Sequence, residues 1–240
     1  MTGLLFALIA ALGNVLGGFA AVRGAKLGIK IISGFVAFGA GFMISVALVR
    51  MLPEAFEIGG PHAAWYVLLG YLVVHLSQHT ATEHFHFGEE THLVSPHAGV
   101  SALVGLLIHT FFDGVAIASG FAVSTGLGVL VFFAILLHKL PEGLTIASLQ
   151  LAGGTKPSRA LGSAALLGLA TVVGVLTTDF IGFLSAHGLA LSAGVTIYVA
   201  ASNLVPEFQG KRGYWLPVAF FLGAGSAWGV DVVLGMVGVG

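Results

Sequence analysis

The sequence predicts an all-α polytopic membrane protein: eight transmembrane helices in a 3+2+3 inverted-repeat arrangement, with both termini extracytoplasmic. Three observations predict it. Of the 240 residues, 57% are apolar and 8% charged, with a mean hydropathy of +1.03. A soluble domain carries about 25% charged residues, so that class is excluded. Apolar runs long enough to cross a bilayer, about 20 residues each, recur near 3–22, 28–52, 62–82, 99–121, 127–151, 160–183, 188–208 and 214–237. Finally, a stretch of the second run returns in the seventh, where the chain travels the other way. A net charge of −1 leaves no basic surface for nucleic acid. The absence of cysteine removes disulfides and thiolate ligands.

The run 3–22 reads as a true span rather than a signal peptide. No basic stretch precedes it, and its flanking charges, Arg23 and Lys26, follow it. With the N-terminus outside, Arg23, Lys26, Lys30, Lys156, Arg159, Lys211 and Arg212 fall on the inner side. Arg50 alone falls on the outer side, as the positive-inside bias requires. Trp65 with Tyr66, and Tyr214 with Trp215, open spans three and eight at the depth where interfacial aromatics collect. Spans two and seven hold GFMISVALVRMLPE (41–54) and GVTIYVAASNLVPE (194–207), which align without gaps at six identities, the closing Pro-Glu included. Span two runs outward and span seven inward. Matching segments of opposite direction are the mark of inverted-topology repeats, which place sites near the midplane. The 240 residues then form a single membrane domain, with a His-rich cytoplasmic loop at 83–98.

Between the repeats lie spans four and five, and here the chain repeats itself again. HTFFDGVAIAS (109–119) and HKLPEGLTIAS (138–148) stand 29 residues apart, each a histidine with a carboxylate four residues on and glycine next. Residues i and i+4 share a helix face, so His109 projects with Asp113 and His138 with Glu142. One span plus a short turn makes the helices antiparallel, so the motifs meet at similar depth. An ionised carboxylate at the bilayer centre costs at least ~2.5 kcal/mol and needs a partner. Two carboxylates and two imidazoles do not satisfy one another; a divalent ion satisfies all four. Mixed oxygen and imidazole donors suit Zn²⁺, Fe²⁺ or Mn²⁺, whereas Mg²⁺ and Ca²⁺ prefer all-oxygen shells. Pro141 cannot donate to the Leu137 carbonyl and leaves unpaired backbone beside the site, tolerable only where it is buried or lines a cavity. Gly114 and Gly143 allow close helix approach. The competing readings are a structural tie between two helices and a cation/proton antiporter using the same buried carboxylates. No HExxH, GxSxG or Walker string supports a protease, a serine hydrolase or an ATP-driven pump, so no enzyme is expected.

With these motifs, the Leu-Pro-Glu closing span two and the Gly-x-x-x-Tyr and Pro-Glu of span seven, the chain resembles the ZIP family of divalent metal transporters over its whole length. The resemblance implies a transport site made by His109, Asp113, His138 and Glu142. It implies a multi-pass protein of the cell membrane that passes zinc, and also iron, manganese or cadmium, into the cytoplasm. The ion is cargo, and no cofactor is expected. It further implies a homodimer and movement of the central helix group against the repeat scaffold. Three positions depart from the family pattern. Thr110 stands where many members have asparagine, Lys139 where many have a neutral or acidic residue, and Thr171 where a glutamate often completes a second metal site. These positions would supply the second ion of a two-metal site. Lys139 is therefore expected to substitute a tethered ammonium for that second cation, leaving a site for one ion.

Further histidines lie outside the centre. His75, His79 and Glu83 follow i, i+4, i+8 spacing down span three, and His84, His86, Glu89, Glu90, His92 and His97 come next. On the cytoplasmic side such a patch can receive, buffer or sense exiting metal, and equally can be a solvated polar loop; Glu207 enters the same side. At the outer mouth Glu54, Glu57, Asp179 and His187 attract cations by their field. Arg50 sits among them, with Glu54 four residues on as one partner.

Overall fold

A computed structural model describes residues 2–24, 29–81, 96–209, 211 and 213–238, with backbone alone at 29, 79–81 and 96–98. The regular elements among the described residues are all helical. They are α1 (Thr2–Val22), α2 (Ile29–Val46), α3 (Leu52–Gly59), α4 (Ala63–Ala81), α5 (Pro96–Val123), α6 (Thr125–Ala152), α7 (Pro157–Phe180), α8 (Gly182–Tyr198), α9 (Pro206–Gln209) and α10 (Trp215–Met236). Hydrocarbon offers no partner to a backbone N–H, so apolar runs of this length close their hydrogen bonds internally. Seven helical stretches among the described residues are long and apolar enough to cross a membrane. One of them, Lys30–Gln78, runs for 49 residues and turns at Gly60, whose φ of 57° is a conformation glycine adopts readily.

The expected break between residues 183 and 188 lies elsewhere. Helix α7 stops at Phe180 and α8 starts at Gly182, with Ile181 extended between them. The segment 184–187, expected to connect two spans, is helical because it holds no glycine or proline and buries Leu184.

Helix α1 shows how the packing is encoded. Its buried residues, Ala7, Ala10, Gly13, Asn14, Gly17 and Gly18, recur at three- and four-residue steps. Leu5, Leu8, Leu12 and Leu16 face outward. Small residues on one stripe let backbones approach, the packing rule of helices in lipid. Helices α1, α5, α6 and α7 pack on one another, while α2 pairs with α10 and α4 with α8.

Reciprocal glycine contacts fasten these pairs. A Cβ on Gly41 would strike the Phe220 carbonyl oxygen, and one on Gly223 that of Phe38. Between α8 and α4 the same roles fall to Gly194 against Val67 and Gly70 against Leu191. Each residue of the second set lies 153 positions from its counterpart in the first, the offset of the 41–54 and 194–207 alignment. Both helices also loosen into a π-helical turn just before their Pro-Glu. Leu52 N–H donates to the Ala47 carbonyl and Val205 N–H to that of Ala200, again 153 apart.

The centre of the molecule uses the same device. A Cβ on Gly143 would meet the Asn14 carbonyl oxygen, and one on Gly17 that of Leu140. Across the bundle, Gly114 meets Thr171 and Gly174 meets Phe111 in the same way. Gly143→Ala is therefore expected to force α1 and α6 apart. Overpacking of this kind costs about 1–3 kcal/mol, and the thermal unfolding midpoint of the detergent-purified variant should fall by several degrees.

Candidate metal centre

Helices α5 and α6 are joined through Ser124, an extended residue whose hydroxyl accepts from the Leu127 N–H and caps α6. So tight a turn makes the helices antiparallel neighbours and brings residues 109 and 138 to one level. His109, Asp113, His138 and Glu142 are each between 3% and 5% exposed. Each offers a ligand atom, and the four atoms lie within 4.8 Å of one another. Among the described residues this is the group of histidines and carboxylates arranged to hold a metal ion.

Three of those atoms form a nearly equilateral triangle. His109 Nε2 lies 3.3 Å from His138 Nε2, and Asp113 Oδ2 lies 3.2 Å from each. The orientation of His138 follows from its other nitrogen. Nδ1 lies 3.1 Å from the Ala134 carbonyl oxygen, which only accepts, so Nδ1 carries the proton. In the neutral ring Nε2 then presents a lone pair to the cluster, as a metal-ligating histidine requires.

Lys139 joins the cluster without reaching water: it is 0% exposed. Its Nζ lies 2.6 Å from Asp113 Oδ2 and 3.1 Å from Glu142 Oε2. One ammonium thus bridges the two carboxylates, one from each motif. Thr110 turns away, its hydroxyl donating to the Leu106 and Leu107 carbonyls at 2.9 and 3.1 Å. Thr171 does likewise, donating to Leu167 at 3.5 Å. Sequence reasoning missed Asn14, whose Nδ2 donates to Glu142 Oε2 at 3.0 Å. The available signal was its isolation, since it is the one polar residue between Leu4 and Val22. Among the described residues, Asn14 Oδ1, His109 Nδ1 and Glu142 Oε1 are buried without a hydrogen-bond partner.

The other predicted residues whose side chains are described are not part of this group. His75 stacks on Tyr71 and meets Tyr198 edge-on, while Glu207 lies in the first turn of α9. Of His79 and His97 only the backbone is described. Glu83, His84, His86, Glu89, Glu90 and His92 fall outside the described residues. His187 stacks on Tyr66 with ring centroids 3.9 Å apart and lines a cavity of about 190 Å³ with Ser119 and Ser185. Glu54, Glu57 and Asp179 do not line it. Arg50 pairs with Asp231 of α10 at 3.3 Å, where Glu54 was the partner within sequence reach. A partner on another helix, 181 positions on, leaves no local spacing to read.

Comparison with known proteins gives a consistent picture. A family model described as ZIP zinc transporter matches residues 88–230. The chain is 28% identical over 158 residues to zinc transporter ZIP9-B of Xenopus laevis, covering 60% of this chain and 52% of that protein. It is 28% identical over 158 residues to zinc transporter ZIP9 of Micropogonias undulatus, at 60% and 51% coverage. It is 33% identical over 119 residues to zinc transporter ZIP6 of Homo sapiens, covering 46% of this chain and 16% of that protein. The chain thus spans about half the length of the ZIP9 proteins it matches.

Proposed function

The chain belongs to the ZIP zinc transporter family, a family of transporters rather than enzymes, and from that premise we propose that it carries divalent transition-metal cations, zinc foremost, into the cytoplasm. Iron, manganese and cadmium are the further cargo. His109, Asp113, His138 and Glu142 are the ligands. The observation that carries this reading is the triangle of His109 Nε2, His138 Nε2 and Asp113 Oδ2, with edges of 3.2 to 3.3 Å. A tetrahedral zinc shell with bonds of about 2.0–2.1 Å separates neighbouring ligand atoms by about 3.3–3.4 Å. The three atoms span one face of such a shell, and Glu142 supplies the fourth corner.

Lys139 takes the place of a second cation. Two carboxylates and one ammonium leave the buried group one negative charge, against two without the lysine. That keeps the ion-free state tolerable in a low-dielectric setting and limits the hold on one arriving dication, as release on the far side requires. At about 1.5 Å per residue, the 49 residues of Lys30–Gln78 would extend roughly 70 Å as one helix, more than twice the hydrocarbon thickness. That length, with the turn at Gly60, supports reading the stretch as two spans and the chain as eight. The 153-residue correspondence of glycine contacts and π-helical turns supports a 3+2+3 inverted repeat, with both termini extracytoplasmic by the charge bias. The histidines at 75, 79, 84 and 86 with Glu83 are proposed to receive ions leaving on the cytoplasmic side. The protein is placed in the cell membrane as a homodimer.

Uptake of labelled Zn²⁺ into proteoliposomes tests the reading. Vesicles containing the protein should accumulate zinc above protein-free vesicles, with labelled Mn²⁺ and Fe²⁺ as comparisons. Uptake equal to that of protein-free vesicles for all three ions would overturn it. Proton flux without metal flux would favour the antiporter.

A further inference from the structure

We propose that Asn14 of α1 is a positioning residue that sets which ions the centre prefers, by tying one oxygen of Glu142 and leaving the other to the ion. The inference rests on the reading of Glu142 as an ion ligand. An amide in hydrocarbon costs about 1–3 kcal/mol unless it is hydrogen-bonded, and Asn14 is 0% exposed. Its Nδ2 meets that need at Glu142 Oε2, 3.0 Å away, on the oxygen that Lys139 Nζ also approaches at 3.1 Å. Glu142 Oε1 is buried and, among the described residues, without a hydrogen-bond partner. The two oxygens of one carboxylate are therefore unlike: one carries two donors and the other carries none.

That asymmetry has a consequence for coordination. A carboxylate whose Oε2 is occupied by two donors binds an ion through Oε1 alone. Four-coordinate zinc needs one oxygen from such a group. Manganese favours an octahedral, oxygen-rich shell, and a chelating carboxylate is the simplest way for a four-residue site to raise its oxygen count. Holding Oε2 thus favours the ion of low coordination number over the ion of high coordination number.

Two further features single out Asn14. Its position is fixed by backbone contact, because Gly143 admits the Asn14 carbonyl where any Cβ would collide, and a Cβ on Gly13 would lie 2.9 Å from the Lys139 Cβ. The amide cannot withdraw from Glu142 unless α1 leaves α6. The tie is also one-sided. Gly114, 29 positions before Gly143, meets the Thr171 carbonyl as Gly143 meets that of Asn14, so Thr171 is the counterpart of Asn14 across the bundle. The Thr171 hydroxyl donates to its own helix, and Asp113 is held by Lys139 instead.

A purely structural asparagine, tying α1 to α6 as polar side chains tie membrane helices, would change stability and leave ion preference alone. Competitive uptake of Zn²⁺ and Mn²⁺ into proteoliposomes separates the two roles. Asn14→Ala should raise the manganese-to-zinc uptake ratio by about tenfold, the scale of one hydrogen bond to a charged group. Asn14→Ser, whose hydroxyl can bond its own helix as that of Thr171 does, should shift the ratio in the same direction and serves if the alanine variant does not fold. Gly18→Ala, which crowds the Ala164 Cβ of α7 at 2.5 Å, should lower the unfolding midpoint without moving the ratio. An unchanged ratio in both Asn14 variants, or an equal shift in Gly18→Ala, overturns the inference. Glu142→Ala belongs in the same series: zinc uptake at the wild-type rate there would overturn the ligand assignment itself, whereas its loss beside an unchanged ratio in the Asn14 variants overturns this inference alone.

Discussion

His138→Ala is expected to abolish zinc uptake and to weaken zinc binding by more than about a hundredfold, since even partners outside the ligand shell are commonly worth 10–100-fold in metal affinity. The side chain supplies one corner of the triangle and is 4% exposed, so water replaces it poorly. The fold should survive. The truncation removes the Nε2 contacts to His109 and Asp113 and the Nδ1 contact to the Ala134 carbonyl, but Asp113 keeps Lys139 at 2.6 Å and His109 at 3.2 Å. Zinc titration of the detergent-purified variant, with its unfolding midpoint measured alongside, checks both halves. Near-wild-type affinity in a folded variant would remove His138 from the ligand set.

Lys139→Met has the second largest expected effect, and in a different quantity. Methionine occupies a similar volume but leaves Asp113 and Glu142 without the ammonium they share. Breaking a buried ion pair by removing one partner costs about 3–5 kcal/mol, so the ion-free variant should unfold at a markedly lower temperature. Saturating zinc should restore most of the loss, because the dication supplies the missing charge. Zinc should also bind about tenfold tighter or more once a like charge has gone, and uptake should slow as release slows. An ion-free variant as stable as the wild type, with the same zinc affinity, would show that Lys139 does not stand in for a cation.

What the sequence displayed follows from distance along the chain. The pairs His109–Asp113 and His138–Glu142 are four residues apart, and the turn at Ser124 converts a 29-residue offset into facing positions. Periodicity and span length therefore sufficed to bring the four side chains together. The 153-residue echo was visible for the same reason, as glycine and Pro-Glu recur where two helix pairs make matching contacts. Asn14 had its isolation as its one signal, because its partner lies 128 positions away and a lone asparagine in an apolar helix has no spacing to betray that partner. Arg50 failed likewise: sequence proximity favoured Glu54, while packing of α2 on α10 brought Asp231 within 3.3 Å. The break at Ile181 is one extended residue between Phe180 and Gly182, too short to interrupt the apolar runs from which the span boundaries were read.

The central claim is that one dication is held between the two motifs, and an anomalous-scattering map recorded at the zinc edge on zinc-soaked crystals tests it most directly. The account predicts a single strong peak per chain within bonding distance of His109, His138, Asp113 and Glu142, with the Lys139 ammonium beside it. Two peaks of equal height among those residues, or zinc bound elsewhere with the four side chains still paired to one another, would contradict it.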